Sequence, residues 1–209
     1  DTIFHNIRHH VLINFVECCH KRYYNVILEW TYPQCFCLYK IQMKDIKYPY
    51  LPEGVTIEYV PLSGFMEEAR KLAKETSTDL QHPTGAVVVK DGVIFGRGAN
   101  QTPLPGKFLR ELHKNGWCIR RRLKIKSGTK YWLCPGCAKS HHHGESRASR
   151  DASRAGIDLS DAELYLWGHW WACKPCWDNM LSVGIKKLYL LEDSEELFNP
   201  KSSRSILGK

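Results

Sequence analysis

No apolar run in this 209-residue chain approaches the roughly 20 residues that a membrane-spanning helix needs, and no membrane partner is expected. The opening residues, Asp1 to His10, lack a basic stretch followed by an apolar core, so no export signal is expected there. Acidic residues are almost missing from one segment. Residues 107–130 hold Glu111 alone against nine Lys and Arg, an excess equal to the +8 of the whole chain. The remaining sequence is therefore balanced. A charge run of this kind reads either as a solvated basic loop or as a surface for a phosphate-bearing partner such as a nucleotide or a nucleic acid.

Cysteine is not scarce: there are nine. A secreted disulfide framework is excluded by spacing and size. Two pairs are spaced C-x-x-C, and the chain is long enough to form a core without staples. Metal binding in a reducing compartment is the better reading, and a cytoplasmic location follows from it. Apolar residues make up 43% and charged residues 25%, ordinary values for a globular protein.

Residues 1–55 read as an N-terminal appendage. Asn25–Thr31 and Cys35–Met43 suggest a β-hairpin, and Tyr48–Gly54, rich in Pro and Gly, suggests a linker. Cys18, Cys19, Cys35 and Cys37 lack ligand spacing and read as buried thiols. Residues 56–192 form the second region, with a basic Cys/His insertion at 101–140. Ser63–Glu75 has helical periodicity behind a Ser N-cap candidate. Gly85–Lys90 and Val93–Gly98 flank Asp91-Gly92, a strong hairpin signal. His143–Ala155 reads as a helix, Ala162–Gly168 as a strand, Cys173–Val183 as a helix and Lys186–Leu191 as a strand. The order α-β-β-α-β-α-β implies a mixed sheet covered by helices. Residues 193–209 are polar and aperiodic and read as a loop or disordered tail.

The chemistry concentrates in His143-Gly-Glu145 and Cys173-Lys-Pro-Cys176. One His and two Cys can fill three corners of a zinc tetrahedron and leave the fourth for water. Zinc lowers the pKa of that water to about 7. Glu145 has the right type and place to carry protons between water and a leaving amine. Both Cys fall on the first turn of a helix, where free N–H groups favour thiolates. A second cluster comprises His113, Cys118, Cys134-Pro-Gly-Cys137 and His141-His142. Its knuckle spacing suggests a closed structural zinc site of Cys118, Cys134, Cys137 and one His, for which we take His141. Trp170 and Trp171 read as one base-stacking ring and one core ring, and Trp117, Trp132 and Trp177 as packing.

The set H-x-E…C-x-x-C is that of zinc nucleobase deaminases. Residues 63–192 resemble the zinc-dependent cytidine/deoxycytidylate deaminase superfamily, most of all its deoxycytidylate branch. The stretch His82–Asn100 is similar to the family's first hairpin, and Gly98–Gly106 loosely echoes its G-Y-N-G-x-P-x-G loop. The resemblance implies a cytidine deaminase-like three-layer α-β-α sandwich with a central mixed sheet. It further implies deamination of dCMP to dUMP, a sugar contact for Asn100 and a homo-oligomer; the basic segment would then supply phosphate contacts or bind a nucleotide effector. Deamination of cytosine or adenine within single-stranded DNA or RNA is the alternative. Ala172 stands where the family has Pro, and Pro175 lies inside the C-x-x-C instead.

Overall fold

The computed structural model describes residues 46–126 and 129–207. The expected N-terminal hairpin and Cys18, Cys19, Cys35 and Cys37 lie outside these residues. Five strands form one sheet: β1 (Thr56–Val60), β2 (Gly85–Lys90), β3 (Val93–Ala99), β4 (Glu163–Trp167) and β5 (Lys187–Leu191). Their order is β1-β5-β4-β2-β3. β1, β5 and β4 run parallel, while β2 is antiparallel to both β4 and β3. The Asp91-Gly92 turn joins β2 to β3 with both residues at positive φ (50° and 75°), as the tight hairpin requires.

Alternation along the strands builds two cores. Ala86 and Val88 of β2, Leu164 and Leu166 of β4, and Leu188 and Leu190 of β5 face one side. There they meet α4 (Gly144–Ser153) and α5 (Lys174–Ser182) through Ala148, Ala152, Trp177 and Met180. Val87, Val89, Trp167 and Leu191 face the other side and meet Met66, Ala69 and Ala73 of α1 (Gly64–Thr76). The result is the expected three-layer α-β-α sandwich with a mixed sheet. Ser63 stands at the α1 N-cap, but its side chain makes no capping bond.

Three segments differ from the sequence reading. Thr56–Val60 is a strand, pairing in register with Lys187–Leu191; its signal is the alternation Val55-Thr-Ile-Glu-Tyr-Val60. Tyr48 and Tyr50, read as part of a linker, pack on the core, as does Val55 beyond it, and Tyr48 hydrogen-bonds Tyr59 through their hydroxyls. The tail contains α6 (Ser194–Phe198), whose Phe198 packs edge-on to Trp167 at 5.1 Å. Leu197 and Leu207 pack against the same cluster, so three apolar side chains dock a largely polar segment.

Two glycines let α4 lie directly on β3. A Cβ on Gly96 would stand 2.2 Å from the Ala148 carbonyl oxygen, and one on Gly98 would stand 2.3 Å from that of Gly144. Neither neighbour is a flexible side chain. Gly98→Ala therefore displaces the first turn of α4, and Gly96→Ala its middle. We expect each to cost roughly 1–3 kcal/mol in chemical denaturation. Only Gly98→Ala should also weaken metal uptake, because only it moves the helix start.

Candidate metal centre

The sheet delivers two helix starts to one place. His143 is the N-cap of α4 and Cys173 the N-cap of α5, both in extended conformation. Pro175 occupies the first turn of α5, where its missing N–H is not needed. This accounts locally for Pro inside the C-x-x-C. The helix ends at Gly184 (φ 94°), with Ile185 N–H bonded to the Met180 carbonyl and Gly184 N–H to that of Leu181.

His143 Nδ1 lies 3.6 Å from Cys173 Sγ and 3.4 Å from Cys176 Sγ, and the two sulfurs are 3.4 Å apart. Zinc at ordinary bond lengths sets such ligand atoms roughly 3.5–3.8 Å apart. The trio is thus assembled for a metal ion of that size. His143 Nε2 faces the Ala138 carbonyl at 3.3 Å. That contact places the ring proton on Nε2 and leaves Nδ1 for the metal. Ser146 donates to Cys176 Sγ at 3.5 Å, and Asn179 donates to Ser146 Oγ at 3.2 Å. Glu145 is 4% exposed on the first turn of α4, and its carboxylate is not among the grouped ligand atoms.

The electrostatics describe a donor set short of positive charge. The Cys173 pKa is lowered to about 5, chiefly by its hydrogen bond with Cys176 and then by His143 beside it. Cys176 is raised for the reciprocal reason, with burial adding. Burial opposes charge on His143, but its bond to Cys173 and the charges of Glu145 and Cys173 outweigh that, and its pKa is raised. Burial pushes the Glu145 carboxyl above the ordinary carboxylate range.

A second group brings His113, Cys118, Cys134 and Cys137 within 4.8 Å of one another, all buried. Cys137 Sγ lies 3.7 Å from both Cys118 Sγ and His113 Nε2. The N–H groups of Gly136 and Ile119 hydrogen-bond the Cys134 sulfur. His113 replaces the expected His141. It lies in the last turn of α2 (Lys107–Lys114), which precedes the short α3 (Ile119–Arg122) and whose end is held by Gln81 donating to the His113 carbonyl at 2.8 Å. Gly136 makes room for the ring, since a Cβ there would lie 2.0 Å from His113 Cδ2. His141 instead sits exposed in a 3-10 turn (Ser140–His142), against His142.

Asn100 is buried and largely committed within the protein. Its Oδ1 accepts from Thr84 N–H (2.9 Å) and Ser77 Oγ (2.6 Å), and its Nδ2 donates to the His82 carbonyl (2.8 Å). Trp171 is core, and Trp170 is half-buried between the two apolar clusters. Trp177 is core, but Trp117 and Trp132, expected to pack, are exposed. Sequence reasoning missed Ser146 and Tyr131. The Tyr131 ring lies edge-on to His143 at 5.2 Å. His169 Nδ1 accepts the N–H groups of Trp170 (3.1 Å) and Trp171 (3.3 Å). Neither Ser146 nor Tyr131 belongs to a ligand spacing or a periodic pattern, so spacing alone could not find them.

The profile of the cytidine and deoxycytidylate deaminase zinc-binding region matches residues 61–192. The chain belongs to that family. Among solved structures, a diaminohydroxyphosphoribosylaminopyrimidine deaminase/5-amino-6-(5-phosphoribosylamino)uracil reductase from Thermotoga maritima is 26% identical over 60% of this chain and 28% of its own, with a TM-score of 0.36. The dCMP deaminase of cyanophage S-TIM5 is 20% identical over 64% of this chain and 86% of its own, with a TM-score of 0.38. A guanine deaminase from Bacillus subtilis is 23% identical over 60% of each chain, with a TM-score of 0.35. This chain thus spans less than two thirds of the Thermotoga and Bacillus proteins. No curated protein matches it.

His169 gives this family member a pH signature. Burial holds its pKa down to about 3, with His82 and His143 adding to the shift. In the unfolded chain it titrates near 6.5. The unfolded state therefore binds more protons between those values. The stability concerned is complete above pH 6.5 and lost as pH falls below it. His169→Asn keeps an acceptor for the two N–H groups and removes the titration. We expect its unfolding free energy, measured by urea denaturation, to fall less than that of the unmodified protein between pH 7 and pH 5, by on the order of 1–2 kcal/mol.

Proposed function

We propose that this protein is a zinc-dependent hydrolase that deaminates a cytosine nucleotide, with deoxycytidylate as the leading substrate and deoxyuridylate as product. The observation that carries this reading is Glu145 buried beside three preassembled ligand atoms with no fourth protein ligand in the described group. A structural site closes all four corners, whereas a catalytic one leaves a corner for water. Zinc bound there supplies a Lewis acid that makes water a nucleophile at neutral pH. Glu145 takes the water proton, passes it to the ring nitrogen, and then serves the leaving amine. Ser146 and the Ala138 carbonyl fix the ligands that surround this exchange. Trp171 and His169 form part of the wall beside Cys173, where the substrate base is discriminated.

The second cluster is assigned to a structural zinc, held by His113 rather than His141. The basic segment 107–130 is assigned to phosphate contacts with the substrate or to a regulatory nucleotide. A homo-oligomer and a cytoplasmic location belong to the same reading. The reduced thiol sets support the location. The alternative substrate, a base within single-stranded nucleic acid, is favoured by one observation: the exposed Trp132 is adjacent to Tyr131, which touches the His143 ring.

Two measurements test these assignments. Elemental analysis should find two zinc ions per chain, one lost in Cys173→Ser and the other in Cys134→Ser. Deamination of dCMP should be compared with that of a cytosine-containing single-stranded DNA, with Glu145→Gln as control. We expect dCMP turnover to fall by about 10²–10⁴ in Glu145→Gln with zinc content unchanged. Turnover of the DNA alone would transfer the site to the alternative substrate.

A further inference from the structure

The insertion carries an outer surface that the fold leaves uncovered. Of the twelve large hydrophobic side chains exposed among the described residues, seven lie between Phe108 and Trp132. Phe108 and Trp132 are each 72% exposed, and Trp117 is 47% exposed. Phe108 and Leu112 are one helical turn apart on α2 and share a face. Lys107, Arg122, Lys124 and Lys130 are exposed beside them in the chain. Among the described residues, no ion pair involves a Lys or Arg of this segment. Aromatic rings and unneutralised cations are thus interleaved on one exposed piece of chain.

Charge decides what fits there. The rest of the chain is electrically balanced, so it carries no net negative charge to draw the segment in. A second copy would bring its own +8 segment to meet the first, and like charges oppose such a contact. An occupant must supply regularly spaced negative charge together with flat apolar faces. Single-stranded nucleic acid has both, one phosphate and one unpaired base per nucleotide, whereas a duplex hides its base faces in the stack.

The position agrees with the chemistry. Arg120 lies over the Tyr131 ring at 4.1 Å and donates to the Thr129 carbonyl at 3.1 Å. Tyr131 in turn touches the His143 ring. The exposed Trp132 therefore follows directly on a residue that borders the metal centre.

We propose that the outer face of the insertion binds single-stranded nucleic acid, with Phe108, Trp117 and Trp132 stacking on bases and the neighbouring Lys and Arg meeting phosphates. The face binds a strand whether or not that strand supplies the base that is deaminated. The probe is accordingly an oligothymidylate of twenty nucleotides, which has no exocyclic amine to remove.

Fluorescence anisotropy of the labelled oligomer with the full zinc-loaded chain measures this directly. We expect binding whose log K falls with log salt at a slope of about −3, for four phosphates at −0.7 each. The double substitution Phe108→Ala/Trp132→Ala should weaken binding at least about tenfold and leave the slope unchanged. The triple substitution Arg121→Ser/Arg122→Ser/Lys124→Ser should flatten the slope by about 2. Zinc content and thermal midpoint, measured on both variants, confirm that they fold. The proposal is overturned if the oligomer does not bind at low salt, or if the aromatic double variant binds it as tightly as the unmodified chain. It is also overturned if vesicles containing anionic lipid bind and the oligomer does not. It fails equally if the aromatic variant changes only the sedimentation of the free protein, which would make the face a contact between copies.

Discussion

The geometry of the metal centre depends on how closely α4 lies against β3. A helix normally rides about 10 Å above a sheet on a layer of side chains. Here Gly96 and Gly98 remove that layer, and the backbone of α4 comes into contact with the strand at Gly144 and Ala148. The sheet order then does the rest. β2 lies between β3 and β4. The helix that follows β4 starts beside the helix that lies on β3. Gly168 repeats the device at the end of β4, with φ 91° and a Cβ position 2.1 Å from the Pro83 carbonyl oxygen. Ligand separations of 3.4–3.6 Å are thus set by backbone approach rather than by adjustable side chains.

The insertion is tied into that geometry. Cys137 is followed by Ala138, whose carbonyl receives the Nε2 proton of His143. Tyr131, between Arg120 and His143, packs against the same ring from another side. The acceptor that orients the His143 ring is therefore one residue from Cys137 of the second cluster. Outer contacts of this kind set tautomer and ring orientation in metal sites. The insertion is consequently part of the wall of the site, although its sequence reads as a separate excursion.

Most of the architecture was legible because the strands alternate cleanly. Val87/Val89 and Ala86/Val88 sort to opposite faces, and Asp91-Gly92 marks the turn between β2 and β3. The ligand trio was legible as residue types at set spacings on helix starts. Edge strand β1 was missed because its half-exposed residues give a weak pattern, and α6 because the few apolar side chains that dock it stand among polar neighbours. His141 was the nearer choice in sequence. Three-dimensional closure selected His113 because α2 turns back through Asn115 and Gly116 toward Cys118. Tyr131, Ser146 and His169 act through contacts that only the fold creates. Asn100 illustrates the reverse case: the motif marked the residue, while its amide is held mainly by Ser77, Thr84 and His82.

The two Cys/His groups use the same atoms for opposite ends. The group at His143 has three donors and a buried carboxylate held apart from them, a composition suited to reaction. The group at His113 has four donors and no carboxylate, a composition suited to closure. The packing of the insertion supports the second assignment. Its buried apolar cluster consists of Cys118, Cys134 and Cys137, with Tyr131 against it. No aliphatic side chain belongs to that cluster. Phe108, Leu112 and Leu123 point outward instead. A segment that exposes its large side chains cannot be held by burial at about 25 cal/mol per Å², because it buries too few of them. Metal ligation supplies folding energy directly in such small units. A metal held by three sulfurs and one imidazole, as proposed, would fix the segment and leave its rings and cations free to face outward.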